Sequence, residues 1–290
     1  MIKSEKKFSR KNIIVVFTIL FLIFFATFIL DKLIEPESFI KPNYEKIDLN
    51  TILSKNILTE DDYKELFYQT GLGKTAVDEL LKNKESGKKD IIDFQNNFFA
   101  KKNVICEKIG IITSQESFVD NNGSYAYGFN LAPYKNGYVL ITKATHSIGW
   151  RHGHAAIIVD EKKGVTLEAV LLGQNSQYQN INKWRMYPSF MMLKLKDTSY
   201  EKLNEIAAFS KNYMNDMPYS LTIGLFSRKN PDKSKISGTH CSHLVWYPFK
   251  QFGYDIDSDG SWLVTPKDIA NSDLFEVVQI YGVDPRDIWP

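Results

Sequence analysis

The sequence predicts an α+β fold in which an antiparallel sheet packs against helices. Before about residue 114, apolar residues recur at helix-like spacing, whereas after it short apolar runs of strand length follow one another. Two later segments again show helical periodicity, at residues 200–215 and from Cys241 onward. Helices and strands that occur in separate blocks are typical of α+β domains with a largely antiparallel sheet.

Composition excludes several classes of protein. The 290 residues carry 36 Lys and Arg against 34 Asp and Glu, so a net charge of +2 gives no sign of a nucleic-acid partner. Two cysteines, Cys106 and Cys241, are too few for a disulfide framework or a cysteine-based structural zinc site. A single disulfide between them stays an alternative.

An apolar segment near the N-terminus predicts a membrane anchor. Residues 13–30 contain 18 residues without a charge, and at about 1.5 Å per residue they would span roughly 27 Å. Basic residues precede the segment, so residues 1–12 are expected to form a cytoplasmic tail and the rest to lie outside the cell. A cleaved signal peptide is the alternative, and it too would export the chain.

The exported part divides into two regions. Residues 31–113 combine a proline-containing, charged stalk with a segment of helical spacing. Residues 114–290 contain the short apolar runs and form the second domain. Its predicted strands are 138–142, 154–159, 165–171, 191–195 and 275–281.

The segment from His154 to Leu171 predicts a hairpin with one polar face. If Val159 pairs with Val165, Glu168 becomes the diagonal neighbour of His154, about 7–8 Å away at the backbone. A one-residue change in the loop would place Glu168 on the opposite face. An ordinary surface hairpin with one polar face is the competing interpretation.

Cys241 lies where a loop enters a predicted helix. Thr239 is a candidate N-cap, which places the thiol in the first turn. Backbone N–H groups and the helix dipole there favour an anion, and a helix N-terminus lowers a thiol pKa. A buried structural cysteine is the alternative, and the polar neighbours of Cys241 argue against it. Pro248 should kink or end this helix.

These residues resemble a known family. Gly153-His154, then Glu168, then Pro218-Tyr219, then Cys241-Ser242 are similar to the motifs of the permuted NlpC-type papain-like cysteine hydrolases, the YiiX/YycO-like group. The resemblance covers about residues 136–272 and departs from the pattern at His243 and Pro248. It implies a helix packed on a five- or six-stranded antiparallel sheet.

The resemblance also implies an activity. Cys241 would be the nucleophile, His154 the base and Glu168 the group that orients the imidazole, with no cofactor. Tyr219 would line the pocket, and closeness in sequence adds His152 and Trp150. Amide bonds are the expected targets, in a cell-wall peptide, an acylated amino acid or a lipid. Location outside the cell favours the wall peptide. The alternatives are an acyltransferase or thioesterase that uses the same three residues and a non-catalytic binding protein.

No metal is expected, although two arrangements compete with that view. Four histidines could hold zinc with Cys241, but their spacing fits no familiar site; they are His152, His154, His240 and His243. Residues 255–260 match the first half of a calcium loop, but the position of the bidentate glutamate is occupied by Pro266.

Overall fold

The structure, a computed structural model, describes residues 10–33, 38–110, 112–147, 150–224 and 226–289 of the chain. Its helices are α1 Arg10–Leu33, α2 Asn50–Leu53, α3 Glu60–Thr70, α4 Lys74–Leu81, α5 Gly87–Phe98, α6 Tyr200–Tyr213, α7 Cys241–Gln251 and α8 Pro266–Ala270. Its strands are β1 Asn103–Lys108, β2 Thr113–Val119, β3 Val139–Thr142, β4 Thr145–Ser147, β5 His154–Asp160, β6 Val165–Glu168, β7 Gln177–Asn180, β8 Phe190–Leu195 and β9 Phe275–Tyr281. Short 3-10 turns cover Ile181–Met186 and Lys233–Lys235.

Six strands form one antiparallel sheet in the order β7-β6-β5-β3-β8-β9. A second antiparallel sheet has the order β1-β2-β4. Helices α6 and α7 both pack on β5, which is buried over most of its length. The predicted α+β class and the antiparallel sheet are therefore confirmed.

Local sequence signals explain where several helices begin. Thr59 and Thr265 each form a capping box with an aspartate three residues later, which satisfies backbone N–H groups at the starts of α3 and α8. Ser199 caps α6 through the backbone N–H of Lys202. The helix α3 ends at Gly71, whose φ of 72° is the left-handed conformation that glycine adopts readily.

The helices α3 to α5 pack together and contact the outer edge of the large sheet. Leu72 forms a bridge with Gln279 on β9, and Thr75 donates a 2.6 Å hydrogen bond to Glu276 on the same strand. Residues before the sheet region thus help to hold the edge strand in place.

The predicted membrane anchor at residues 13–30 is wrong. Crossing a bilayer requires about 20 consecutive apolar residues. In the described part of the chain, no helix is long and apolar enough to cross a membrane. The single-pass location with an extracellular domain, which depended on that anchor, is wrong with it. Most of the predicted tail at residues 1–12 lies outside the described residues.

Candidate active site

The strand β5 starts at His154 because the preceding residue is a glycine. Gly153 has a φ of 73°, and a Cβ atom at this position would come within 2.5 Å of the carbonyl oxygen of Thr142. The backbone N–H of Gly153 donates to the carbonyl of Thr145 at 2.9 Å. A side chain at position 153 would therefore push the start of β5, and with it His154, away from β3.

The hairpin between β5 and β6 has the predicted register over its inner part. Ile157 pairs with Leu167 and Ile158 with Thr166, but a bulge then makes Asp160, not Val159, the partner of Val165. The bulge lies at the loop end of the hairpin, so the predicted register is wrong only at Val159 and holds for the pairs nearer His154. The polar face is not exposed, as a surface hairpin would have it, since His154, Thr166 and Glu168 are all buried.

Glu168 orients the imidazole of His154. The Nε2 atom of His154 lies 2.8 Å from Oε2 of Glu168, and both side chains are buried. A carboxylate at this distance keeps a proton on Nε2 and leaves Nδ1 as the nitrogen that can serve the thiol. The structure thus brings together the histidine and glutamate that the sequence analysis selected.

Three further groups donate to the carboxylate oxygens of Glu168, and sequence analysis predicted none of these contacts. Thr166 donates to Oε1 at 2.6 Å, Trp184 donates its indole N–H to Oε1 at 2.9 Å, and the ammonium of Lys183 lies 2.7 Å from Oε2. Burial raises the pKa of Glu168, but the charges and hydrogen bonds of Lys183 and His154 outweigh it and hold the pKa well below its usual range. Glu168 is therefore a buried, ionised group.

Trp184 also covers one face of the imidazole. Its ring stacks on that of His154 with centroids 5.5 Å apart and planes 14° from parallel. Stacking of this kind fixes the ring plane and favours the imidazolium form through the π-system. Lys183 and Trp184 come from the 3-10 turn Ile181–Met186, whose short polar and aromatic sequence gave no motif that could have revealed them.

Cys241 is the first residue of α7 and is buried. His240, not Thr239 as predicted, is the N-cap, because its Nδ1 accepts the backbone N–H of His243 at 3.4 Å. Pro248 was expected to kink or end this helix. The helix continues to Gln251, so the expectation that it ends at Pro248 is wrong.

The thiol has two imidazole partners. Cys241 lies within hydrogen-bonding reach of His154 and of His240. Since Nδ1 of His240 accepts a backbone N–H, its proton lies on Nε2, the nitrogen that is left to donate to the sulfur. His240 entered the sequence analysis only as a zinc ligand, so its contact with the thiol was missed.

The electrostatics favour a thiolate–imidazolium pair. Burial raises the pKa of Cys241, but hydrogen bonds from His154 and His240 outweigh this and lower it well below its ordinary value. Burial lowers the pKa of His154, yet hydrogen bonds with Cys241 and Glu168 raise it to about 9. A cysteine with a depressed pKa beside a histidine with a raised pKa is the charge state that nucleophilic catalysis requires.

A cavity of about 430 Å³ opens onto Cys241. Trp150, His152 and Tyr219, the three predicted substrate-binding residues, all line it. Burial lowers the pKa of His152, and burial together with the charge of Cys241 raises that of Tyr219, so both side chains are neutral at pH 7. Their role in binding a substrate stays a prediction.

The predicted alternative of a zinc site is not supported by the histidine contacts. His154 is engaged by Glu168 and Cys241, and His243 by the carbonyl of Lys229 at 2.8 Å and the hydroxyl of Thr239 at 3.0 Å. Across the described residues, the group with spacing suitable for a metal consists of carboxylates instead.

Comparison with known proteins gives little. No family model matches the chain, and no curated protein matches it significantly. A crystal structure of the metalloprotein yiiX from Escherichia coli O157:H7 is similar over 50% of this chain and 97% of that one, with 12% identity and a TM-score of 0.40. That score is too low to carry an argument about shared function.

Proposed function

We propose that this chain is a cysteine hydrolase that forms an acyl-enzyme on Cys241. One observation supports it above all others. A buried thiol at a helix start contacts His154, whose other ring nitrogen lies 2.8 Å from the ionised Glu168. Nucleophilic catalysis needs this order of nucleophile, base and orienting group.

Each residue has a defined step in the proposed reaction. The thiolate of Cys241 attacks a carbonyl carbon, and the new oxyanion lies near the backbone N–H of Cys241 at the start of α7. His154 gives its proton to the leaving group as the carbon–leaving-group bond breaks, which leaves a thioester. Water then loses a proton to His154 and attacks the thioester, which releases the acid and restores the thiolate–imidazolium pair.

The cavity favours an apolar acyl group as the part of the substrate that it binds. The lining contains no Lys, Arg, Asp or Glu, and most of its residues are aliphatic or aromatic; they are Ile112, Thr113, Ser147, Trp150, His152, Val170, Leu172, Tyr219, Leu221, His240, Cys241, Ser242, Leu263, Val264, Thr265 and Pro266. A cell-wall peptide carries carboxylates that this lining could not pair. An amide, ester or thioester of an apolar acid fits this lining better.

Covalent trapping tests the proposal. We would incubate the full chain with p-nitrophenyl esters of fatty acids with increasing chain length and measure release of nitrophenol and intact mass. We expect an adduct of one acyl group, formed faster with longer chains until the cavity is filled.

Cys106 provides the matched control, because it is the second cysteine and is exposed. Cys106→Ala should leave acylation unchanged, whereas Cys241→Ala should abolish it and keep the unfolding temperature near that of the parent protein. Acylation that survives Cys241→Ala would refute the nucleophile. Addition of an amine or alcohol then distinguishes hydrolysis from acyl transfer by the product formed.

A further inference from the structure

Three carboxylates meet beside the loop that follows α7. Asp257 and Asp259 lie on this loop and Asp268 lies in α8. One oxygen from each residue lies within 4.8 Å of an oxygen of both others. Carboxylates repel one another at such separations unless a proton or a cation lies between them.

One of the three side chains is buried with an oxygen that lacks a donor. The carboxylate of Asp257 has no exposed surface, and its Oδ2 is paired with the ammonium of Lys229. Its Oδ1 has no hydrogen-bond partner among the residues that the structure describes. Burying a charged oxygen without a partner is costly, so this atom calls for a positive group from outside the chain.

The charges of the three aspartates also favour a positive group from outside the chain. Lys229 pairs with Asp257, and its ammonium also donates to the carbonyl of Ser261. When all three aspartates are ionised, this lysine balances one of their three charges. A divalent cation would balance the other two.

We propose that Asp257, Asp259 and Asp268 bind a Ca²⁺ ion. The set consists of oxygen atoms, which hard cations prefer to nitrogen or sulfur. Calcium–oxygen distances of about 2.3–2.6 Å allow ligands on opposite sides of the ion to lie about 5 Å apart, in agreement with the observed separation. Mg²⁺ demands near-ideal octahedral geometry and usually keeps several waters, so a site made of three protein carboxylates suits it less well.

The ligand set differs from the calcium loop considered in the sequence. There, Asp255 was the first ligand and Pro266 occupied the position of the final acid. In the structure Asp255 is engaged instead by Lys250 at 2.5 Å and by the indole N–H of Trp246 at 2.7 Å. Asp268, two residues beyond Pro266, supplies the missing carboxylate because α8 turns back toward the loop.

The bound ion would brace one wall of the cavity. Asp268 accepts hydrogen bonds from the backbone N–H and the hydroxyl of Thr265. Thr265 and Val264 line the cavity, and the carbonyl of Val264 accepts a hydrogen bond from Ser242, the neighbour of Cys241. Calcium would thus stabilise the loop that forms this wall of the cavity. The ion itself would not contact the reacting atoms.

Calorimetric titration of the full chain with CaCl₂ tests the site, together with thermal unfolding in calcium and in chelator. The informative variant is Asp259→Asn, since Asp259 accepts the backbone N–H of Ser261 and an asparagine oxygen can keep that bond. Asp255→Asn is the matched control, because it removes the same charge from the same loop outside the cluster. A parent titration with MgCl₂ gives the selectivity.

We expect one calcium per chain in the parent and in Asp255→Asn, with a higher unfolding temperature than in chelator. Asp259→Asn should bind calcium about 100-fold more weakly, since loss of even an outer-shell partner costs about 10–100-fold. The proposal is overturned if the parent shows neither heat nor stabilisation at millimolar calcium, or if Asp259→Asn binds as tightly as Asp255→Asn. Tighter binding of Mg²⁺ than of Ca²⁺ would overturn the choice of ion.

Discussion

Glu168 and Asp257 are both buried carboxylates paired with one lysine, yet their pKa values shift in opposite directions. Burial is the largest influence on both and raises both pKa values. Glu168 also contacts Thr166, Trp184 and His154, so its pKa falls well below the usual range. Asp257 is paired with Lys229 on Oδ2, but burial together with the neighbouring carboxylates Asp259 and Asp268 outweighs the lysine and raises its pKa. A buried acid is therefore ionised by the protein itself where its neighbours are donors, and not where they are further carboxylates.

Replacement of Glu168 should have the largest effect. In Glu168→Gln, His154 loses the negative charge that stabilises its imidazolium form and fixes its tautomer, and turnover should fall about 100-fold or more. Lys183 also loses its counter-charge, and removal of one partner from a buried pair costs about 3–5 kcal/mol in the free energy of unfolding. Steady-state kinetics and denaturant unfolding measure the two losses. Glu205→Gln, at an exposed position on α6, should change neither. Full activity in Glu168→Gln would show that its contacts are dispensable.

The pH dependence of turnover should report the thiolate–imidazolium pair. The pKa of His154 is raised to about 9, so the imidazolium keeps its proton through neutral pH and loses it as pH rises through about 9. The pKa of Cys241 is lowered, so the thiolate is lost only as pH falls into the acid range. A profile of kcat/KM should be flat near pH 7 and decline on both sides. An alkaline decline centred near 6.5 would contradict the pairing.

Lys183→Met should have a smaller effect and sharpen the account of Glu168. The lysine shares Oε2 of Glu168 with His154, so its removal leaves that oxygen to the imidazole alone. Loss of a nearby positive charge also favours the imidazolium, and the alkaline decline should move to higher pH while the acid decline changes less. Turnover should fall by no more than about tenfold, since Trp184, Thr166 and His154 still satisfy Glu168. A shift to lower pH would contradict this role.

Asp257→Asn in chelator should have the smallest effect. An acid whose folded pKa is raised gives stability that is fully present below its unfolded pKa and is lost as pH rises through the folded value. An uncharged amide removes this loss, so the stability difference from the parent should move in favour of the variant between pH 4 and 7. Denaturant unfolding at the two pH values measures this, and an opposite trend would show that Asp257 is satisfied without an ion.

Sequence reasoning succeeded where periodicity or chain direction fixed the geometry. Strand alternation placed His154 and Glu168 on one face, and polar neighbours placed Cys241 at a helix start, because both depend on residues close in sequence. It failed for Lys183 and Trp184, which reach Glu168 from a 3-10 turn with no periodic pattern. It also failed for residues 13–30, where length and absence of charge in the sequence were taken as sufficient for a membrane span.

The bulge near Val159 makes the proposed catalytic pair, His154 and Glu168, insensitive to the length of the adjoining loop. At the bulge, two residues of β5 lie opposite one residue of β6. Removal of Val159 would restore regular pairing there and leave Ile157 opposite Leu167 as before. The hairpin can therefore absorb one deleted residue there, whereas a deletion between His154 and Ile158 would reverse the face on which the imidazole lies. In a design that inserts a reporter or changes this loop, the segment after the bulge tolerates a change in length, whereas β5 itself does not.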